Sequence, residues 1–192
     1  MELLKDKIVN EGYWVGEGIL KVDSFLNHQI DIELLDKIGA EIAKIYEGEK
    51  IDKVLTAESS GIAIACAAAR HLGNLKTVFA KKNKPITMRE DAYQAQGMSF
   101  TKGNFNTYVV SKRFLDKGDR VVIIDDFLAR GESGSALCEI VKQAGGEIVG
   151  YTAAIEKRNQ GGYDKISNMG VKVQSLAVLG DCNMETGEIN FL

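Results

Sequence analysis

Two adjacent carboxylates, Asp125 and Asp126, stand where a short apolar run, Val121-Val122-Ile123-Ile124, gives way to a turn containing Gly131, Ser133 and Ser135. Carboxylates accept hydrogen bonds from paired hydroxyls and suit hard cations, and a helix opening after a glycine presents unpaired N–H groups to a phosphate. The residue types and their order describe a phosphate cradle with acids beside it. A bare acid pair is as often a capping or solvated turn. Two like charges at a strand end beside an anion site are unfavourable unless something uses them, and ribose hydroxyls or a bound cation would do so. The chain has no GxxxxGK[ST] and no GxGxxG, which excludes the nucleotide P-loop and the dinucleotide fingerprint.

Such a pair needs a strand to carry it and a helix to follow. Residues 120–124 read as the central strand, and residues 133–143 as an apolar-periodic helix closed by Ala144-Gly145-Gly146. A second strand-to-helix turn precedes it: residues 53–56 are a buried strand, Ala57-Glu58-Ser59-Ser60-Gly61 a turn, and residues 62–72 an alanine-rich helix stopped at Gly73. Leu34, Leu35, Ile38, Ile42 and Ile45 recur at helical spacing over residues 31–46. Further strands are expected at 77–80, 107–110, 147–155, 171–179 and 188–191. Residues 1–11 suggest an amphipathic helix closed by Gly12, residues 13–22 a strand pair or extended arm, and residues 21–30 a loop. The polar passage 81–103 contains the single proline, Pro85, and ends at Ser99-Phe100-Thr101; its length suits a lid or β-arm. The alternation predicts an α/β fold with a doubly wound, mainly parallel sheet. The expected organisation is one domain over residues 1–192, with a hood from about 1–30 and 157–192 capping the ligand edge.

At 192 residues and 45% hydrophobic composition, one proper core can be buried. Acidic groups outnumber basic ones by 27 to 24, which argues against a dedicated nucleic-acid partner. Cys66, Cys138 and Cys182 lack C-x-x-C spacing, so neither a zinc site nor a disulfide framework is suggested, and Cys66 and Cys138 read as small core residues. With no signal-peptide pattern and no apolar stretch long enough for a bilayer, the expectation is a cytoplasmic protein without a membrane partner.

The run Val-Val-Ile-Ile-Asp-Asp-Phe-Leu-Ala-Arg-Gly-Glu-Ser resembles the phosphoribosyl diphosphate signature of the type I phosphoribosyltransferases. Lys21 to Ile30 and Glu58 to Ile62 resemble the matching stretches of the bacterial members that act on xanthine, so the likeness spans essentially the whole chain. It implies a pentosyl transfer from phosphoribosyl diphosphate to a purine, xanthine, with diphosphate released. It also implies that Asp125 and Asp126 bind the ribose hydroxyls, and that Ala129, Arg130, Gly131, Glu132 and Ser133 wrap the 5-phosphate. Ser59, Ser60 and Lys81, with Lys82 beside it, would meet the diphosphate, and Leu20, Asn27 and Lys157 the base. Mg2+ would ride mainly on the substrate's own oxygens, and a homodimer is implied, as is common among members. Two departures stand out: many members have Thr at the position of Arg130 and a neutral residue at that of Glu132. A carboxylate facing the phosphate would repel it, so Glu132 is expected to point away. Phe127 could stack on the base or pack the loop. His28 and His71 sit in no triad pattern, and the proton-transfer group stays unassigned. The rivals are transfer to adenine, hypoxanthine or guanine, and a non-catalytic regulator; the acidic balance and short chain weaken the latter.

Overall fold

The computed structural model describes residues 1–16, 18–83, 91–99, 104–181, 186 and 188–192. Its centre is the strand that the acid pair sits on. β7 (Arg120–Leu128) is buried on both faces from Val121 to Ile124, the pattern of an inner parallel strand. It pairs in parallel with β3 (Lys53–Ala57) and β8 (Glu147–Lys157), and β8 in turn with β9 (Val173–Leu179). On the other side, β3 pairs in parallel with β4 (Lys76–Lys82). β6 (Asn104–Ser111) and β5 (Ala92–Ser99) then close that edge antiparallel, giving the order β5-β6-β4-β3-β7-β8-β9. The doubly wound α/β expectation holds, with an antiparallel pair on one edge.

Helices cover both faces. On one, α1 (Glu2–Glu11), α2 (Ile32–Ile45) and α3 (Gly61–His71) pack over Val54, Val122 and Ile124. Asp31 caps α2 by accepting from the Leu34 N–H at 3.1 Å. Ile38 and Ile42, fully buried, each contribute roughly 1.5–3 kcal/mol. The alanines of α3 let α2 approach closely: a Cβ on Gly39 would lie 2.6 Å from the Ala67 carbonyl carbon. On the other face, α4 (Glu132–Ala144) and α5 (Gly162–Ser167) cover Val121, Ile123 and Tyr151. A separate hairpin, β1 (Tyr13–Val15) with β2 (Ile19–Lys21), precedes a π-helical turn at Asp23–Asn27.

Several expectations change. β7 runs four residues beyond Ile124, because the acid pair is itself in the ladder with β8 rather than past its end. Residues 23–27 form a helical turn where a loop was expected. Part of the polar passage is β5, tied to α4 by a reciprocal Gln94–Gln143 pair at 3.2 and 2.8 Å. The expected strand at 188–191 is reduced to a single bridge between Leu179 and Phe191. Cys138 is buried as expected, whereas Cys66 is exposed, on the solvent side of α3. Pro85, Phe100, Thr101 and Cys182 lie outside the described residues. No described helix is long and apolar enough to cross a membrane.

Candidate active site

Three segments converge at the carboxyl ends of the parallel strands, enclosing a cavity of about 200 Å³. The β3–α3 turn supplies Glu58, Ser59 and Ser60; β7 supplies Asp125, Asp126 and Phe127; the start of α4 supplies Ser133. Lys82, at the end of β4, and Tyr108, on β6, complete the lining. The Glu58–Ser59 peptide is cis, and the Glu58 carboxylate accepts the Lys82 backbone N–H at 2.6 Å. Gly61 has to be glycine here, since a Cβ would collide with Thr56 Oγ1 and stand 3.0 Å from Asp125 Oδ1.

The two acids differ because a strand alternates its side chains. Asp125 is only 4% exposed, and its Oδ2 accepts from Ser133 Oγ at 2.8 Å and from the Tyr151 hydroxyl at 3.4 Å. Burial, then the adjacent Asp126 charge, pushes the Asp125 carboxyl up to about 8, against the opposing pull of Ser133. Burial likewise raises Tyr108 to about 12, helped by the Asp125 and Glu132 charges. Asp126 is half-buried and open to the cavity. One acid is thus held by the protein and the other is offered to a ligand.

Beyond the acids, residues 129–133 turn sharply into α4. Gly131 caps the helix with φ 70°, a left-handed conformation that favours glycine. Ser133 reaches the cavity, and Arg130 is exposed. Glu132 ion-pairs with Lys165 of α5, Oε1 to Nζ 2.9 Å.

At the same end of β7, Phe127 lines the cavity next to Asp126, and the Lys157 ammonium lies 5.2 Å from its ring centroid. Lys157, the last residue of β8, donates to the Gly18 carbonyl at 2.8 Å, which brings the β1–β2 hairpin over the sheet edge. Leu20 is buried in the core rather than in the cavity. Asn27 is exposed and does not line the cavity.

The family described as phosphoribosyl transferase domain matches residues 23–177. The chain belongs to the phosphoribosyltransferase family. It is 47% identical over 191 residues to the xanthine phosphoribosyltransferase of Clostridium novyi, covering 100% of this chain and 99% of that one. The corresponding enzyme of Bifidobacterium adolescentis is 46% identical with the same coverage. Among solved structures, the adenine phosphoribosyltransferase of Rhodothermus marinus superposes with TM-score 0.76 at 21% identity, over 93% of this chain and 100% of that one. That of Giardia lamblia, complexed with 9-deazaadenine, gives 0.76 at 22%, over 91% and 96%. At such identities the structural likeness speaks for the fold.

In this phosphoribosyltransferase the strand alternation divides the lysine pair. Lys82 lines the acid cavity, whereas Lys81 points into a larger cleft of about 540 Å³ along β4 and β6 and lies 6.0 Å from the Phe79 ring centroid. Size would favour that cleft. Its lining is mainly apolar, however, and Asp116, the one acid among its described residues, already pairs with Lys53. The converging acids, hydroxyls and helix ends are all in the smaller cavity, which is where the chemistry belongs. Period-two counting from buried Ala80 was the signal that separates Lys81 from Lys82. Glu58, Tyr151 and Lys165 carried no comparable signal, since their partners are remote in the chain.

Proposed function

We propose that this chain transfers the 5-phosphoribosyl group of phosphoribosyl diphosphate to xanthine, giving xanthosine 5'-monophosphate and diphosphate in purine salvage. The observation that carries the reading is Phe127: it lines the acid cavity and lies against the Lys157 ammonium, so a ribose at the acids would have its base beside that cation. Near full-length similarity to xanthine phosphoribosyltransferases supports the choice of base.

Each residue then has a task. Asp126, with Asp125 behind it, accepts from the ribose hydroxyls and favours positive charge developing at the anomeric carbon. The backbone N–H groups of Ala129 to Ser133 wrap the 5-phosphate, with the Ser133 hydroxyl added and Arg130 at the rim. Ser59, Ser60 and, in place of Lys81, Lys82 receive the diphosphate. Lys157 donates to a 6-oxo group; the adenine amino group offers it nothing to bind, a penalty that favours oxopurines. Asn27, on the turn after the hairpin, and Leu20, which backs the hairpin from the core, belong to the base end, with the hood at about 1–30 and 157–192 closing over it.

Glu58, Asp125 and Asp126 put carboxylate oxygens on the cavity wall, but no group of three or more acids, histidines or cysteines among the described residues could hold a metal ion by itself. Magnesium, held mainly by substrate oxygens with these acids around it, would neutralise charge on the departing diphosphate. A homodimer and a cytoplasmic setting complete the proposal.

Incubation with magnesium, phosphoribosyl diphosphate and each purine separately tests it. Nucleotide should form fastest from xanthine. Product from none of the bases would sink the enzymatic reading, and a preference for adenine would sink the base assignment.

A further inference from the structure

We propose that Lys165 is a positioning residue for phosphoribosyl diphosphate: from α5 it neutralises Glu132, so that a phosphate loop containing an acid can still accept a 5-phosphate. The inference rests on the assignment of residues 129–133 to that phosphate.

Glu132 is the first residue of α4, in the turn assigned to an anion. An acid in a first helical turn complements the helix dipole, but its charge opposes a phosphate arriving at the same N–H groups. Lys165 meets this conflict directly, with Nζ 2.9 Å from Glu132 Oε1 and the two side chains 39% and 24% exposed. Its element is fastened to the loop backbone. The Gly162 N–H donates to the Ala129 carbonyl at 2.9 Å, and a Cβ on Gly162 would stand 2.7 Å from the Gly131 nitrogen. Ile166 is fully buried against α4, where a Cβ on Gly134 would lie 2.5 Å from its Cδ1. Behind the helix, the Arg158 guanidinium lies 4.1 Å from the Tyr163 ring centroid and pairs with buried Glu156, whose other oxygen accepts from Ser175 Oγ at 2.7 Å. α5 therefore follows the loop, and its one lysine facing α4 is held over the acid. A partly exposed ion pair adds little to folding stability, so its effect is read in ligand binding.

Steady-state kinetics on the full chain at low ionic strength test the idea. Lys165→Ala should raise KM for phosphoribosyl diphosphate by about tenfold while kcat and the KM for the base stay within about twofold. Lys165→Met, which keeps the aliphatic stem, should behave the same, and Lys165→Arg should stay near the parent. Combining Lys165→Ala with Glu132→Gln should recover most of the loss, and added salt should shrink the difference. An unchanged KM in Lys165→Met, or no recovery in the double variant, would overturn the proposal. Ser133→Ala separates the layers: if it raises KM for phosphoribosyl diphosphate and Lys165→Met does not, Lys165 alone loses its role. If neither moves that KM, the phosphate-loop assignment fails and this inference with it.

Discussion

Burial and the neighbouring Asp126 hold the Asp125 carboxyl at about 8, far above the ordinary aspartate range, so the folded chain keeps a proton there that the unfolded chain releases near pH 4. The sign follows from linkage: the native state binds the extra proton, and stability falls as pH rises from about 4 towards 8. The melting temperature of the ligand-free protein should therefore drop between pH 5 and pH 8, with Asp125→Asn flattening that slope; an equal slope in the variant would contradict the assignment. In turnover, Asp125→Asn with Asp126→Asn should cost roughly 10²–10³-fold in kcat/KM with near-native circular dichroism, given the usual worth of charge-stabilising groups. Survival of activity within a few-fold would remove the acids from the ribose site. Lys157→Ala should raise the KM for xanthine about 10–100-fold, the value of a charged hydrogen bond, and leave that for phosphoribosyl diphosphate nearly unchanged. Equal loss on both substrates would make Lys157 structural.

Close approach governs the elements. α2 and α3 cross where Gly39 meets the backbone of Ala67 and Ala68, atoms that cannot yield as a flexible side chain would. Gly39→Ala should thus cost about 1–3 kcal/mol in denaturant unfolding although alanine is the better helix former. A neutral or stabilising result would mean the helices can separate freely. The strand-to-helix turns obey the same logic with a functional outcome. Gly61, the first residue of α3, leaves room for Thr56 and Asp125 where a Cβ would collide, and Gly131 takes the left-handed conformation immediately before α4.

At the scale of the molecule, the sheet gathers groups from residues 58 to 133 at one edge and brings residues 18 and 157 together beside them. Because magnesium is assigned to substrate oxygens rather than to a protein cage, EDTA should abolish turnover while leaving the melting temperature of the ligand-free chain unchanged. A fall in that temperature would point to a resident ion.

What the chain alone determined was local: an apolar run that can only be an inner strand, acids after it, glycine turns opening helices, and hence an α/β sheet with an anion site at its carboxyl edge. These rest on neighbours within a few residues, whose periods and turn chemistry are written in order. The tertiary structure decided what depends on partners far apart in the chain. Ladder pairing with β8 extends β7 through the acids, and the alternation of the strand buries Asp125 while offering Asp126. Lys82 faces the cavity and Lys81 does not, although the two are adjacent and identical. α5, too short to show a period, places Lys165 against Glu132 across 33 residues because its glycines seat it on the phosphate loop.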